Sequence, residues 1–153
     1  MLLLNHRSWS DFFIHDVVTD YTANFVSRMA VGIIFPTILL LSHLTRSIWF
    51  FKRGNKGSLE SLFTWFGLKW RQAYRKNVIV YPEGHRMYGA EKPSYLKKGM
   101  IGYAFRNKVD CQIIITFGND KVCDEKSLKL RANQTVYSYT TDVIKPQNFG
   151  SEG

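Results

Sequence analysis

Apolar residues along the chain follow two alternating patterns, short unbroken runs and longer runs with helical spacing. The run at residues 2–4 and the run at 77–81 predict buried β-strands, and Pro82 ends the second of these. Between Leu59 and Trp70, apolar residues recur every three or four positions, which predicts an amphipathic helix. Both patterns recur along most of the chain.

The remaining segments extend this alternation. Further strands are predicted at about 24–27, 47–53, 112–117 and 134–144, and further helices from Ser8 or Ser10 to about Asp20, at 29–44 with a bend at Pro36, and at 99–107. Parallel strands need long connections, which are usually helical. The alternation therefore predicts an α/β fold, with a mostly parallel central sheet flanked by helices in a single domain. We assign residues 1–146 to this domain and expect 147–153 to be a frayed tail.

Composition excludes several classes of protein. A chain of 153 residues with 45% hydrophobic residues can bury a core and is not disordered. The two cysteines, Cys111 and Cys123, are too few and too far apart for a disulfide scaffold or a zinc site. We therefore expect a reducing compartment and no bound metal.

The positive charge is concentrated in one part of the chain. The net charge is +9, and residues 51–110 alone hold thirteen basic residues against four acidic ones. Residues 1–50 and 111–153 are each neutral overall. The central segment should attract phosphate groups, whether in nucleic acid, in anionic lipid headgroups or in a phosphorylated cofactor.

Two apolar segments have two interpretations each. The run at 30–41 is shorter than the roughly 20 apolar residues of a membrane-spanning helix, so it predicts either a buried helix or an interfacial or re-entrant one. The helix predicted from Ser58 to Arg71 carries Trp65 and Trp70 beside basic residues. It either lies in a lipid headgroup layer or packs its apolar face on the core.

The first candidate for chemistry is Asn-His-Arg-Ser-Trp-Ser-Asp at residues 5–11. A histidine acts as a general base near neutral pH when a carboxylate holds one ring nitrogen and leaves the other free. His6 in a loop and Asp11 in the first turn of a helix can meet in this way. The alternative is a surface histidine beside an aspartate that only favours the helix start.

The second candidate is Tyr-Pro-Glu-Gly-His-Arg at residues 81–86, directly after a predicted strand. Gly84 would let the backbone approach a ligand closely. Arg86 could bind a phosphate with its planar guanidinium, and Glu83 would orient that arginine or bind a hydroxyl. The alternative is a strand-ending turn with an exposed salt bridge.

Two further basic sites occur at predicted element ends. Arg53 ends a predicted strand, and Lys98 with Gly99 opens a helix whose free amides attract anions. Each of these clusters alone is a common solvated feature. Together with Arg86 they predict a ligand site at the edge where α/β folds bind ligands.

In this order the four segments resemble the blocks of the glycerolipid acyltransferases, the family that includes 1-acylglycerol-3-phosphate acyltransferase. Four elements carry the resemblance: N-H-x-S-x-x-D at Asn5, His6, Ser8 and Asp11; the strand-ending arginine at Arg53; Phe/Tyr-Pro-Glu-Gly-Thr-Arg at 81–86; and the Lys-Gly pair at 98–99. The resemblance covers about residues 2–144. His85 departs from the hydroxyl residue of the third block, and 111–116 lacks the proline usual in the fourth.

The resemblance implies a membrane-associated acyltransferase that moves a fatty acyl group from an acyl thioester to a hydroxyl of a lysophospholipid or glycerol phosphate. His6 would be the general base and Asp11 its orienting carboxylate, and the substrate-binding residues would be Arg53, Glu83, Gly84, Arg86, Lys98 and Gly99. The co-substrate would be acyl-CoA or an acyl carrier protein thioester, with no permanently bound cofactor. The expected location is the cytosolic face of a membrane, with the endoplasmic reticulum as the expected organelle.

One further expectation and two alternatives accompany this hypothesis. Family members carry membrane-anchoring segments before the first block. This chain begins almost at that block, so we expect the domain to lack such an anchor. A catalytically inactive lipid-binding domain of the same fold is one alternative. A nucleic-acid binder is the other, but no nucleic-acid partner is expected, because the basic residues lie at scattered strand ends rather than along one helix.

Overall fold

The computed structural model describes residues 1–51, 59–88, 95–124, 127 and 129–150. The strands in these ranges are β1 (Leu2–Leu4), β2 (Ala23–Arg28), β3 (Ile48–Phe51), β4 (Asn77–Val80), β5 (Gln112–Phe117), β6 (Cys123–Asp124), β7 (Lys129–Leu130) and β8 (Tyr137–Thr140). The helices are α1 (Asp11–Val18), α2 (Met29–Ile34), α3 (Pro36–Thr45), α4 (Leu59–Gln72), α5 (Lys98–Arg106) and α6 (Asn119–Val122), followed by a 3₁₀ turn at Pro146–Asn148.

A six-stranded sheet with the order β3-β2-β4-β1-β5-β8 forms the centre of the fold. β2 runs parallel to β3 and to β4, and β1 runs parallel to β5 with Leu4 opposite Ile114. The edge strand β8 pairs antiparallel with β5, with Thr140 opposite Ile114. The predicted α/β fold, with a mostly parallel central sheet flanked by helices, is confirmed.

The chain divides into two compact units. The first unit comprises Met1–Tyr21 and Val80–Gly153, and the second comprises Thr22–Ile79. Leu4 and Ile114 are buried in the first unit, where β1 and β5 pair. The predicted domain bounds, 1–146 with a tail, stay a prediction.

In the second unit, α4 packs its aromatic residues into the core. Phe66 is 1% exposed, and its ring meets Trp49 at 5.8 Å and Trp70 at 5.4 Å between centroids, both edge to face. Phe63, one turn earlier, is also buried. The core-packing interpretation of this helix therefore holds for the face that carries these residues.

The helix predicted at 29–44 is two helices. Pro36 has no amide hydrogen to donate and disfavours helical geometry at the residue before it. Phe35 accordingly adopts φ −122° and ψ 80°, which separates α2 from α3. None of the helices in the described ranges combines the length and the apolar character needed to cross a bilayer.

Candidate active site

His6 and Asp11 form a hydrogen-bonded pair in the first unit. β1 ends at Leu4 and leads into the loop that carries His6, and α1 begins at Asp11. His6 Nδ1 lies 2.7 Å from Asp11 Oδ2. The predicted contact between the two side chains is therefore present, and a proton on Nδ1 leaves Nε2 as the acceptor nitrogen.

Asp11 is fully buried, and its carboxylate is surrounded by donors. Oδ2 also accepts the backbone N–H groups of Arg7 at 2.6 Å and Ser8 at 3.0 Å, and Oδ1 accepts Asn119 Nδ2–H at 2.7 Å. Burial alone would raise the pKa of Asp11, but the hydrogen bond from His6, the charge that His15 gains at acid pH and the Ser8 amide outweigh it and hold the pKa below its usual value. Asp11 is thus the anion of the pair.

His6 is held from two further sides. Its backbone N–H donates to Glu83 Oε2 at 2.8 Å, and its ring stacks on Tyr81 at 4.1 Å between centroids with 15° between planes. Glu83 is only 3% exposed. The turn after β4 therefore fixes both the backbone and the ring of the histidine, and the predicted role of Glu83 as a ligand for the acceptor stays a prediction.

Asn119 is a residue of this site that the sequence patterns did not reveal. It opens α6 directly after Gly118, whose φ of +87° favours glycine. Its side chain donates to Asp11, and its backbone oxygen accepts the hydroxyls of Ser8 and Ser10, each at 3.1 Å. A polar residue just after a parallel strand was the one available signal.

This arrangement also corrects the predicted helix cap. Ser10 occupies the N-cap position of α1, but its side chain makes no capping hydrogen bond. Its hydroxyl is 2.5 Å from that of Ser8 and bonds to Asn119 instead. The two serines attach the loop to the start of α6, just after β5, and Ser10 does not cap the helix.

A chain of hydrogen bonds lies behind the His6–Asp11 pair, and the sequence patterns did not reveal it either. His15, fully buried in α1, contacts the Tyr81 hydroxyl through Nδ1 and Thr116 Oγ1 through Nε2, both at 2.9 Å. Thr116 Oγ1 donates its own proton to Asn5 Oδ1 at 3.1 Å. It must therefore accept from His15 Nε2–H, which leaves Nδ1 to accept from Tyr81.

Burial sets the protonation of this second histidine. Desolvation, opposed by the charge of Asp11, lowers the pKa of His15 to about 4. Desolvation likewise raises the pKa of Tyr81 well above its usual value. Both groups are neutral at physiological pH, so their hydrogen bonds keep a single direction.

Known proteins that are similar to this chain indicate its family. The acyltransferase family model matches residues 1–116, more than half of the chain.

The chain belongs to the acyltransferase family.

Among curated protein sequences, none matches it significantly. The crystal structure of the 1-acyl-sn-glycerophosphate (LPA) acyltransferase PlsC from Thermotoga maritima is similar, with a TM-score of 0.65 and 19% identity. The similarity covers 99% of this chain and 57% of that one, so the chain spans little more than half of the PlsC length.

The other predicted site residues have different outcomes. Arg86 stacks its guanidinium over Trp9, 4.2 Å from Cζ to the ring centroid. Arg53 lies outside the described residues. Lys98 and Gly99 begin α5, as predicted.

The start of α5 is attached to the turn that holds His6. Lys97 N–H donates to Pro82 O at 2.8 Å. The Lys97 side chain also lies against Gly84, where a Cβ would come within 2.7 Å of it. Because Gly84 has φ +69°, a larger residue would be strained there as well. The basic helix start and the turn at 81–86 are thus joined by direct contacts of Lys97.

The site can take a proton from a hydroxyl and hold the resulting charge. The His6 side chain is 11% exposed, and the buried carboxylate of Asp11 fixes its tautomer. In the part of the chain that the structure describes, no three His, Cys, Asp or Glu side chains gather as metal ligands. The donor-rich surroundings of Asp11 suit an anion that orients a base rather than one that accepts the proton itself.

Proposed function

We propose that the chain transfers a fatty acyl group from an acyl thioester, acyl-CoA, to a hydroxyl of a lysophospholipid or glycerol phosphate. The observation that carries the proposal is the 2.7 Å contact between His6 Nδ1 and the buried carboxylate of Asp11. Membership of the acyltransferase family supports the reaction class. The glycerophosphate acceptor follows the substrate named for PlsC, whose fold is similar.

In the proposed mechanism, His6 Nε2 takes the proton of the acceptor hydroxyl while its oxygen attacks the thioester carbonyl. The tetrahedral intermediate then collapses, the C–S bond breaks, and the departing thiolate receives the proton from the imidazolium. The products are an ester and a free thiol. Asp11 stays ionised throughout and stabilises the imidazolium. An acyl-enzyme is unnecessary because the thioester is already activated.

Cationic groups would bind the phosphates of the two substrates. Arg86 and the basic start of α5 at Lys98 lie in the first unit together with His6. Arginine binds phosphate through paired N–H groups, and a helix start adds free amides. We assign the acceptor phosphate to Arg86, and the carrier phosphates to Lys98 and Gly99. Arg53, which the family resemblance adds to the substrate-binding residues, lies outside the described residues. Because a lysophospholipid lies in a bilayer, we also propose that the protein works at a membrane surface, on its cytosolic side.

The test is the release of free thiol from oleoyl-CoA, with and without lysophosphatidic acid, by the wild-type chain, His6→Ala and Asp11→Asn. General-base catalysis contributes roughly 10²- to 10⁴-fold, so His6→Ala should lose about that factor. The matched control is His85→Ala, which removes an exposed histidine of the third block and should retain activity.

Three results would contradict the proposal. They are an unchanged rate in His6→Ala, release that does not depend on the acceptor, and no release by the wild type across a panel of lysophospholipids. The second of these would indicate a thioesterase. The third, combined with vesicle binding, would favour the inactive lipid-binding alternative.

A further inference from the structure

The second unit carries large apolar side chains that its own core does not cover. Ile33 and Ile34 at the end of α2 are 73% and 65% exposed, and Leu40 and Leu44 on α3 are 62% and 70% exposed. We call these four residues the α2–α3 face. Isolated exposed apolar residues are ordinary, but four within residues 33–44 mark an interaction surface.

The same unit carries nearly all of the net charge of the protein. Residues 22–79 contain nine Lys and Arg residues and a single acid, Glu60, for a net charge of +8 out of +9. From Tyr21 to Phe51, which includes the α2–α3 face, the sequence has no acidic residue. An apolar face on a cationic unit complements a partner that is apolar inside and anionic at its surface.

The dimensions of α3 fit the surface of a bilayer and not its full thickness. Its ten residues rise about 15 Å, roughly half of the hydrocarbon core. Leu40 and Leu44 are four residues apart and share one side of the helix. Arg46 follows directly after α3 and is exposed, so a cation lies at the end of the apolar face. Apolar side chains could then enter one leaflet while arginine stays among the headgroups.

A groove beside α3 points to the same kind of partner. It has a volume of about 960 Å³ and is lined within the second unit by apolar residues of α3 and β3, such as Leu39 and Trp49, and by cations, among them Arg46 and Lys69. This lining suits a molecule with a hydrocarbon chain and an anionic head. A phospholipid has both parts.

We infer that the second unit docks on an anionic phospholipid bilayer, with the α2–α3 face at the boundary between headgroups and acyl chains and with exposed cations such as Arg46 on the headgroup phosphates. The biological reason for this docking rests on the proposed function, because a lysophospholipid acceptor would lie in that bilayer. The docking itself needs no catalysis and can be measured separately.

The experiment is flotation of the full chain with vesicles of phosphatidylcholine alone and of phosphatidylcholine mixed with phosphatidylglycerol. The Ile34→Asp/Leu44→Asp variant should bind the mixed vesicles at least tenfold more weakly, because two apolar groups that enter the bilayer become charged. Leu130→Asp is the matched control, since Leu130 is 78% exposed in the first unit, and its binding should equal that of the wild type. Arg46→Gln should weaken binding to the mixed vesicles by about fivefold and binding to neutral vesicles much less.

Several outcomes would overturn the inference. The double variant could bind like the wild type, or Leu130→Asp could weaken binding equally. A single-stranded oligonucleotide could displace the protein from vesicles at concentrations where it binds tightly, which would assign the cations to nucleic acid. Sedimentation could show a dimer that the double variant dissociates, which would assign the face to a second copy of the chain.

The inference and the proposed function fail in distinguishable ways. Flotation of His6→Ala should match the wild type, because the substitution lies in the first unit and outside the α2–α3 face. Loss of thiol release with normal flotation therefore concerns the catalytic pair alone. Normal thiol release from soluble substrates without flotation would refute the docking alone.

Discussion

The buried neutral histidine in α1 predicts how the stability of the protein changes with pH. His15 accepts a hydrogen bond from Tyr81 and donates one to Thr116, so a proton added to Nδ1 would force the Tyr81 hydroxyl hydrogen to turn away and would place a charge at a buried site. Its pKa is lowered to about 4 by burial, against 6.5 in the unfolded chain. As the pH falls, the unfolded state therefore takes up this proton first.

The size of the effect follows from these two values. The contribution of His15 to the free energy of unfolding is fully present above pH 6.5 and is lost as the pH falls toward about 4. Each tenfold difference in proton affinity is worth about 1.4 kcal/mol, so the whole loss is ~3 kcal/mol. Between pH 7 and pH 5 it amounts to about 2 kcal/mol. Asp11, whose pKa is held below its usual value, acts only at lower pH.

Urea denaturation at pH 7 and pH 5 measures this loss. A change of about 2 kcal/mol moves the urea midpoint by roughly 1 M. The test variant is His15→Gln with Tyr81→Phe, which keeps a donor near Thr116 and removes the hydroxyl that would otherwise lose its acceptor. Its free energy of unfolding should fall with acid by about 2 kcal/mol less than that of the wild type. His85→Gln removes an exposed histidine and should show the wild-type dependence. Parallel curves for the wild type and the double variant would refute a neutral His15 in the folded state.

Two further predictions concern the loop contacts of the site. Asn119→Ala removes the donor 2.7 Å from Asp11 Oδ1, and a hydrogen bond to a charged group is worth about 1.5–3 kcal/mol. The value of kcat/KM for thiol release should therefore fall by about tenfold or more, while the circular dichroism spectrum stays unchanged. An unchanged rate would exclude Asn119 as a positioning residue. Gly84→Ala should lower the free energy of unfolding by about 1–2 kcal/mol, because φ is +69° there. Gly102→Ala should raise it by about 0.5–1 kcal/mol, because Gly102 lies in α5 with open space where a Cβ would be. Shifts of the melting temperature in the same direction for both variants would contradict this prediction.

The elements whose sequence signal is local were predicted well. β1, β4 and β5 lie within one residue of the predicted runs, because a short apolar run bounded by polar residues or proline leaves few other choices. The short helix α6 and strands β6 and β7 were not predicted, since two to four residues carry no period. The predicted strand at 134–144 is regular only at 137–140, where β8 pairs with β5.

Contacts between distant parts of the chain could not be predicted. Asn119 reaches Asp11 across 108 positions, and Thr116 reaches Asn5 across 111, so no spacing pattern records either contact. The burial of the run at 30–41 was equally undecided, because a helix that is apolar on all sides has no amphipathic period. The buried interpretation is wrong for Ile33, Ile34 and Leu40, which are each more than 60% exposed.

The spacing of His6 and Asp11 has a structural reason that is also the basis of the proposed chemistry. Oδ2 of Asp11 accepts the amides of Arg7 and Ser8 as well as His6 Nδ1–H, so one oxygen both closes the loop and orients the imidazole. The loop returns three consecutive residues, His6 to Ser8, to the same atom. The hydrogen bonds that form this loop therefore also favour the ionised carboxylate, and they fix the orientation of the imidazole that is the proposed base.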